Sequence, residues 1–191
     1  MDILAHALYS ATLFSRTGLA GGARGPIDAA GRTRSFDWTI WAAFGFGLLP
    51  DALSIGIAIL TAAVKGHLFT FTGIPAFTFE LYHWSHSLVA AGAVSILIRC
   101  LWKPLFLSSL AWPLHILMDM LTHGSGRFQT LLLFPISDVT LNGINWWQHP
   151  SVVLLYWCLL PVLWFGIHRC RRRTHQPNPH HDTARGPGHA G

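Results

Sequence analysis

LHILMDMLTHG, residues 114–124, sets His115, Asp119 and His123 four residues apart in a run that is otherwise almost wholly apolar. At about 3.6 residues per helical turn, that spacing stacks the three side chains along one stripe. Imidazoles and carboxylates are costly in a hydrocarbon environment, so a partner has to compensate them. The rest of the sequence has to supply both the membrane and the partner.

The composition supplies the first. With 191 residues, the chain is long enough for one compact unit rather than two. Hydrophobic residues make up 51% and charged residues 11%, where a soluble domain carries about 25% charged residues. Nine Trp and twelve Phe point the same way. The formal charge of +5 is concentrated at Arg16, Arg24, Arg32 and Arg34 and again at Arg169 and Arg171–Arg173. Basic clusters flanking apolar runs mark cytoplasmic membrane ends rather than a nucleic-acid surface. Cys100, Cys158 and Cys170 lie far apart, which argues against a disulfide framework and against a cysteine metal site. The N-terminus has no basic n-region or small-residue cleavage site and is expected to be retained.

The expected fold is an all-α membrane bundle of about five transmembrane helices, occupying residues 1–173. The first apolar segment, from Ile3 to about Leu19, is weak because it contains His6 and Arg16. The others run over about 38–63, 85–102, 104–123 and 151–167, each near the length a bilayer core requires. Residues 174–191, THQPNPHHDTARGPGHAG, are basic, His-rich and almost free of large apolar residues, and read as a disordered tail. Arg24, Arg32 and Arg34, then Arg99 and Lys103, then Arg169–Arg173 fall in alternate connections, so they share one side, which the positive-inside rule makes cytoplasmic. LFTFTGIPAFTFELYHW, residues 68–84, alternates Phe with Thr and is expected to be extended backbone at the opposite interface. The Trp pair of NWWQHP, residues 145–150, suits an aromatic belt on that side.

On this topology His6, Asp51, His83, His86, His115, Asp119 and His123 all map to the outer leaflet. Five imidazoles and two carboxylates form a nitrogen- and oxygen-rich set suited to Zn²⁺, and also to Mn²⁺ or Fe²⁺. Seven candidates exceed the three or four protein ligands of one catalytic zinc, so one or two ions can be held, a pair serving to activate water and stabilise both oxygens of a displacement. His115, Asp119, His86 and Asp51 are the preferred ligands, and His123 or His83 completes the shell or serves as general acid–base. Asp51, following Pro50, also suits a helix cap. His67, His149 and His168 have no partner at ligand spacing, and Glu80 and Asp138 remain outer-loop candidates.

DILAHAL (2–8), GLLPDALS (47–54), LYHWSHSL (81–88) and LHILMDMLTHG (114–124), in that order, resemble the YdjM-like inner-membrane metal-dependent hydrolases of bacteria. The resemblance spans about residues 1–130. It implies metal-site roles for His6, Asp51, His83, His86, His115 and Asp119; His123 joins them from the helix spacing alone. It departs at Ser54, where the family carries an acidic residue, and at Trp84, where it carries a basic one. It implies a multi-pass inner-membrane metal-dependent hydrolase without a defined substrate; the expected substrate, an ester or phosphoester of a membrane-associated small molecule or lipid, follows from the depth of the site near the headgroups.

Other membrane chemistries fit less well. Phosphatidate-phosphatase-type enzymes need an Arg where Ser109 stands, and intramembrane zinc proteases need H-E-x-x-H, whereas the only Glu is Glu80. A transporter of metal ions or protons also uses intramembrane His and Asp, but no polar ladder reaches the cytoplasmic face. A haem carrier using facing His residues would not call for the carboxylates. A reporter fused after Arg173 is expected to give a cytoplasmic signal, and an external signal would overturn this topology.

Overall fold

The computed structural model describes residues 1–21, 36–70 and 73–174, with side chains up to position 170. Arg24, Arg32 and Arg34 and the tail from residue 175 lie outside the described residues. The described chain is helical and contains no strand. Its helices are α1 (Ile3–Phe14), α2 (Trp38–Asp51), α3 (Ile57–Val64), α4 (Ala76–Ser85), α5 (Leu88–Leu101), α6 (Lys103–Ser109), α7 (Ala111–Thr122) and α8 (Pro150–Thr174). A π-helical turn, Ala52–Gly56, joins α2 to α3.

Three helical stretches are long and apolar enough to cross a membrane: Trp38–Val64, Lys103–Thr122 and Pro150–Cys170. A fourth is added if α4 and α5, bent by 54° at their junction, count as one broken span. The first expected span is shorter than its apolar run. Asp2 caps α1 by accepting from the Ala5 amide, and the helix ends at Phe14 after 12 residues, about 18 Å at 1.5 Å per residue and short of a bilayer core. Residues 68–84 are also not extended throughout. Pro75 precedes α4, and the helical period then turns Thr78, Tyr82 and Ser85 inward. The Phe–Thr alternation therefore does not set the backbone there.

Side chains are sorted as a lipid environment demands. Trp41, Leu60, Val64, Ile96, Leu154 and Phe165 face outward, whereas Ala5, Ala43, Ala91, Ala111, Ser54 and Ser95 are buried. Without a hydrophobic drive between helices in lipid, small inward residues gain stability through close backbone approach. Gly47 is the tightest case: a Cβ there would run into the Ser10 side chain of α1 and come within 3.0 Å of the His6 carbonyl.

The ends of the bundle are tied by polar contacts. At one end, Arg16 N donates to Thr39 Oγ1, Thr17 and Thr39 both donate to Asp37, and Ser108 Oγ donates to Thr39 O. Burial would raise the Asp37 pKa, but the hydrogen bonds from Thr39 and Thr17 outweigh it and hold the carboxyl below its ordinary range. At the other end, Tyr156 and Trp157 of α8 donate to Asp2, and Tyr9 donates to the Tyr156 carbonyl. Helix α1 therefore runs antiparallel to α2, while α2 and α6–α7 run parallel in register, pairing Thr39 with Ser108, Gly47 with His115 and Asp51 with Asp119.

Gly47→Ala should lower the unfolding midpoint in detergent, at a cost of about 1–3 kcal/mol for overpacking. Adding Ser10→Gly should recover most of it, and an unchanged midpoint in the single variant would contradict this account of the α1–α2 contact.

Candidate metal centre

Three helical segments converge where α2 gives way to the π-helical turn. Asp51 closes α2, directly after Pro50, which has no amide hydrogen to donate. His86 caps α4 at the bend before α5. There Ser87 caps α5 by accepting from the Val89 and Ala90 amides, and Trp112 Nε1 donates to Ser85 O at 2.7 Å. His115 and Asp119 lie one turn apart on α7. Asp51, His86, His115 and Asp119 each offer one ligand atom, all within 4.8 Å of one another. They form a His/Asp cluster able to bind a metal ion.

The hydrogen bonds fix the character of the imidazole atoms. His115 Nδ1 lies 2.7 Å from Gly47 O and His86 Nδ1 lies 3.1 Å from Tyr82 O. A carbonyl only accepts, so His115 Nδ1 donates and its neutral ring keeps a lone pair on Nε2. His86 Nδ1 is shared between Tyr82 O and Ser85 Oγ, 3.0 Å away, and its Nε2 keeps a lone pair in the tautomer that donates to Tyr82. Both Nε2 atoms are buried and have no hydrogen-bond partner. They face carboxylates, which when ionised are also acceptors only. In that tautomer four acceptors converge with no donor among them.

Distances separate an ion from a direct pairing. His86 Nε2 lies 3.3 Å from Asp119 Oδ2 and 3.6 Å from Asp51 Oδ1; His115 Nε2 lies 3.2 Å from Asp119 Oδ2 and 3.8 Å from Asp51 Oδ2. Charge-assisted hydrogen bonds close to about 2.7–2.9 Å. With metal–ligand bonds of about 2.0–2.2 Å, a tetrahedral edge is about 3.3–3.6 Å. The observed separations, which run to both oxygens of Asp51, span that edge, so the four residues could hold a metal ion. Outer hydrogen bonds from Nδ1 to backbone carbonyls are also how ligating imidazoles are ordinarily oriented.

The seven expected residues divide into three groups. Asp51, His86, His115 and Asp119 form the cluster. His6 and His123 stand behind it: His6 Nε2 lies 2.8 Å and His123 Nδ1 3.2 Å from Asp119 Oδ1, the oxygen turned away from the other imidazoles. The His6 ring stacks on His115 with centroids 3.8 Å apart. His123 departs from the expected stripe because α7 ends at Thr122 and His123 caps it in extended conformation. It still reaches back to Asp119. His83 is not brought to the cluster; its ring lies 5.6 Å from Phe134, since the chain leaves the helical path between it and His86.

Several contributors carry no signal in sequence. The Gly47 and Tyr82 carbonyls are main-chain groups. The terminal amine of Met1 lies 3.1 Å from Asp119 Oδ1 and also donates to Thr122 Oγ1. Tyr82 stacks on His86 at 3.8 Å, and only the inward helical period of α4 would have marked it. Asp51 is the least buried member of the cluster, with 11% of its side chain exposed.

No protein-family model matches the chain, and no curated protein or solved structure matches it.

His6→Ala should weaken metal affinity by about 10–100-fold, as loss of an outer partner does, whereas Asp119→Ala should abolish binding. Competition titration against a chromophoric chelator in mild detergent would measure both. An unchanged affinity for His6→Ala would remove His6 from the ligand support.

Proposed function

We propose that the chain is a membrane-embedded, metal-dependent hydrolase of an ester or phosphoester in a membrane-associated substrate, of the kind its motifs resemble in the YdjM-like proteins. The observation that carries this reading is the convergence of Asp51, His86, His115 and Asp119, one ligand atom of each lying within 4.8 Å of the others, with the buried Nε2 atoms of His86 and His115 left without a hydrogen-bond partner.

Zn²⁺ is the preferred ion for a set of two imidazoles and two carboxylates, with Mn²⁺ or Fe²⁺ as alternatives. When bound, such an ion lowers the pKa of a coordinated water toward neutrality and polarises a carbonyl or phosphoryl oxygen. The remaining work belongs to the protein. His86 and His115 would hold the ion with their Nε2 atoms and Asp119 with Oδ2, and Asp51, the least buried of the four, would complete the set or leave its place to water. His6 and His123 fix Asp119 through its other oxygen. The His123 side chain is 15% exposed and is the imidazole able to exchange a proton between solvent and this group, which suits general acid–base work. In this reading the bundle sits in a bacterial inner membrane with the centre toward the outer face and the tail in the cytoplasm, as the basic ends suggest.

A proton-handling or ion-transporting role for the same residues is the second reading. His6 meets Asp119 at 2.8 Å, the distance of a charge-assisted hydrogen bond, whereas His86 and His115 stand 3.2–3.8 Å from the carboxylates, and that difference favours an ion between them.

Protein purified in mild detergent should carry about one equivalent of a transition metal per chain, matching the single four-ligand set. A folded His115→Ala/Asp119→Ala variant should lose both the metal and the hydrolysis of model esters and phosphodiesters. Folded wild type that takes up no metal after incubation with zinc or manganese would overturn the hydrolase reading. Metal uptake without hydrolysis of any ester or phosphoester would favour the transport reading.

A further inference from the structure

We propose that a groove between α1 and α8, apart from the His/Asp cluster, binds an anionic phospholipid, one acyl chain lying along the groove and the headgroup at its basic end. The groove arises from unequal helix lengths. After Phe14 the chain turns away through Ser15–Gly21, while α8 continues to Thr174. The α8 residues Trp157, Leu160, Pro161, Trp164, Phe165 and His168 share one helical face. Opposite them, Leu8 and Ala11 of α1 complete the wall of a cavity of about 590 Å³. That volume falls within the range of about 300–1,000 Å³ typical of small-molecule sites.

Two observations select the occupant. First, the cavity borders Pro150–Cys170, a stretch apolar and long enough to span a membrane, so a hydrocarbon chain is the material at hand to fill it. Second, its polarity is graded. The wall from Leu8 to Leu160 is apolar, and Ser15, Thr17 and His168 gather at one end. Beside that end the sequence places the four arginines among residues 169–173. A basic cluster directly beyond a membrane helix is the pattern that attracts anionic headgroups. The acyl chain alone discriminates little, because bulk lipid is as apolar as the groove. Selectivity therefore comes from the headgroup, and each arginine near an anionic surface favours it by about five-fold.

Trp157 and Trp164 line the groove and serve as reporters. In mixed micelles, brominated phosphatidylglycerol and brominated phosphatidylcholine are compared as quenchers of the full-length protein, and the signal of Trp157→Phe/Trp164→Phe is subtracted. The two groove tryptophans should quench saturably, with phosphatidylglycerol half-saturating at about one-fifth or less of the phosphatidylcholine mole fraction. Ala11→Phe, which fills the groove, should lose the saturable component while keeping its metal content. Thr12→Phe fills it from the same wall and decides the matter if Ala11→Phe does not fold. Replacing Arg169, Arg171, Arg172 and Arg173 by Gln should erase the preference and keep the saturation. Identical curves for the two lipids in wild type, or saturation unchanged in a folded groove-filling variant, would overturn the proposal. Metal content reads a different set of residues, so this result stands apart from the fate of the hydrolase reading.

Discussion

The structure depends on how one buried carboxylate is satisfied. Asp119 has its two oxygens turned in opposite directions. Oδ1 meets His6, His123 and the terminal amine of Met1, while Oδ2 meets the Nε2 atoms of His86 and His115. A carboxylate inside an apolar bundle is retained only when it is hydrogen-bonded or paired with a cation: Oδ1 has His6, His123 and the Met1 amine, and Oδ2, facing two imidazole nitrogens, is the side left for a cation. Meeting that condition brings α1, the α4–α5 bend and α7 to one point. Asp51 then makes α2 the fourth element, and the repulsion between two buried carboxylates gives the site its demand for a cation.

The packing around this centre follows from the same need. Helices holding short, inward polar groups at one height have to approach closely, and Gly47 beside Ser10 and His6 allows α1 and α2 to do so. The Gly47 carbonyl in turn orients His115. A residue chosen for its lack of a side chain thus serves both the helix contact and the tautomer of a ligand. The bend at His86 contributes comparably, because a helix end leaves main-chain groups and a side chain free to turn toward the centre. Trp112 anchors that bend from α7.

Much of this was legible in the sequence, for identifiable reasons. Asp51, His115 and Asp119 stood out because ionisable groups are expensive in apolar runs, and the helical period placed two of them on one face. His86 stood out in LYHWSHS as a preferred ligand, and it joins the cluster, while His83, read as able to complete the shell or act as acid–base, lies against Phe134. His6 and His123 were legible as members of the site but not as supports of Asp119 rather than members of the cluster. That distinction rests on which oxygen each meets, a matter of tenths of an ångström. The first apolar run was longer than the helix it forms, since Ser15 and the Thr17–Asp37 contacts end α1 early. The Phe–Thr alternation before Trp84 misled because Pro75 starts a helix whose own period also buries Thr78 and Tyr82.

The parallel register of α2 with α6–α7 bears on how the protein is made. Asp51 emerges from the ribosome well before His86, and His86 before His115 and Asp119. A lone aspartate at the centre of a membrane helix costs about 2.5–3.5 kcal/mol on insertion scales. The segment containing Asp51 is apolar enough to cross a membrane despite that cost, but the cost is relieved only when the segment ending at Thr122 brings its partners beside it. The polar centre thus ties the stability of the early span to the arrival of the later one.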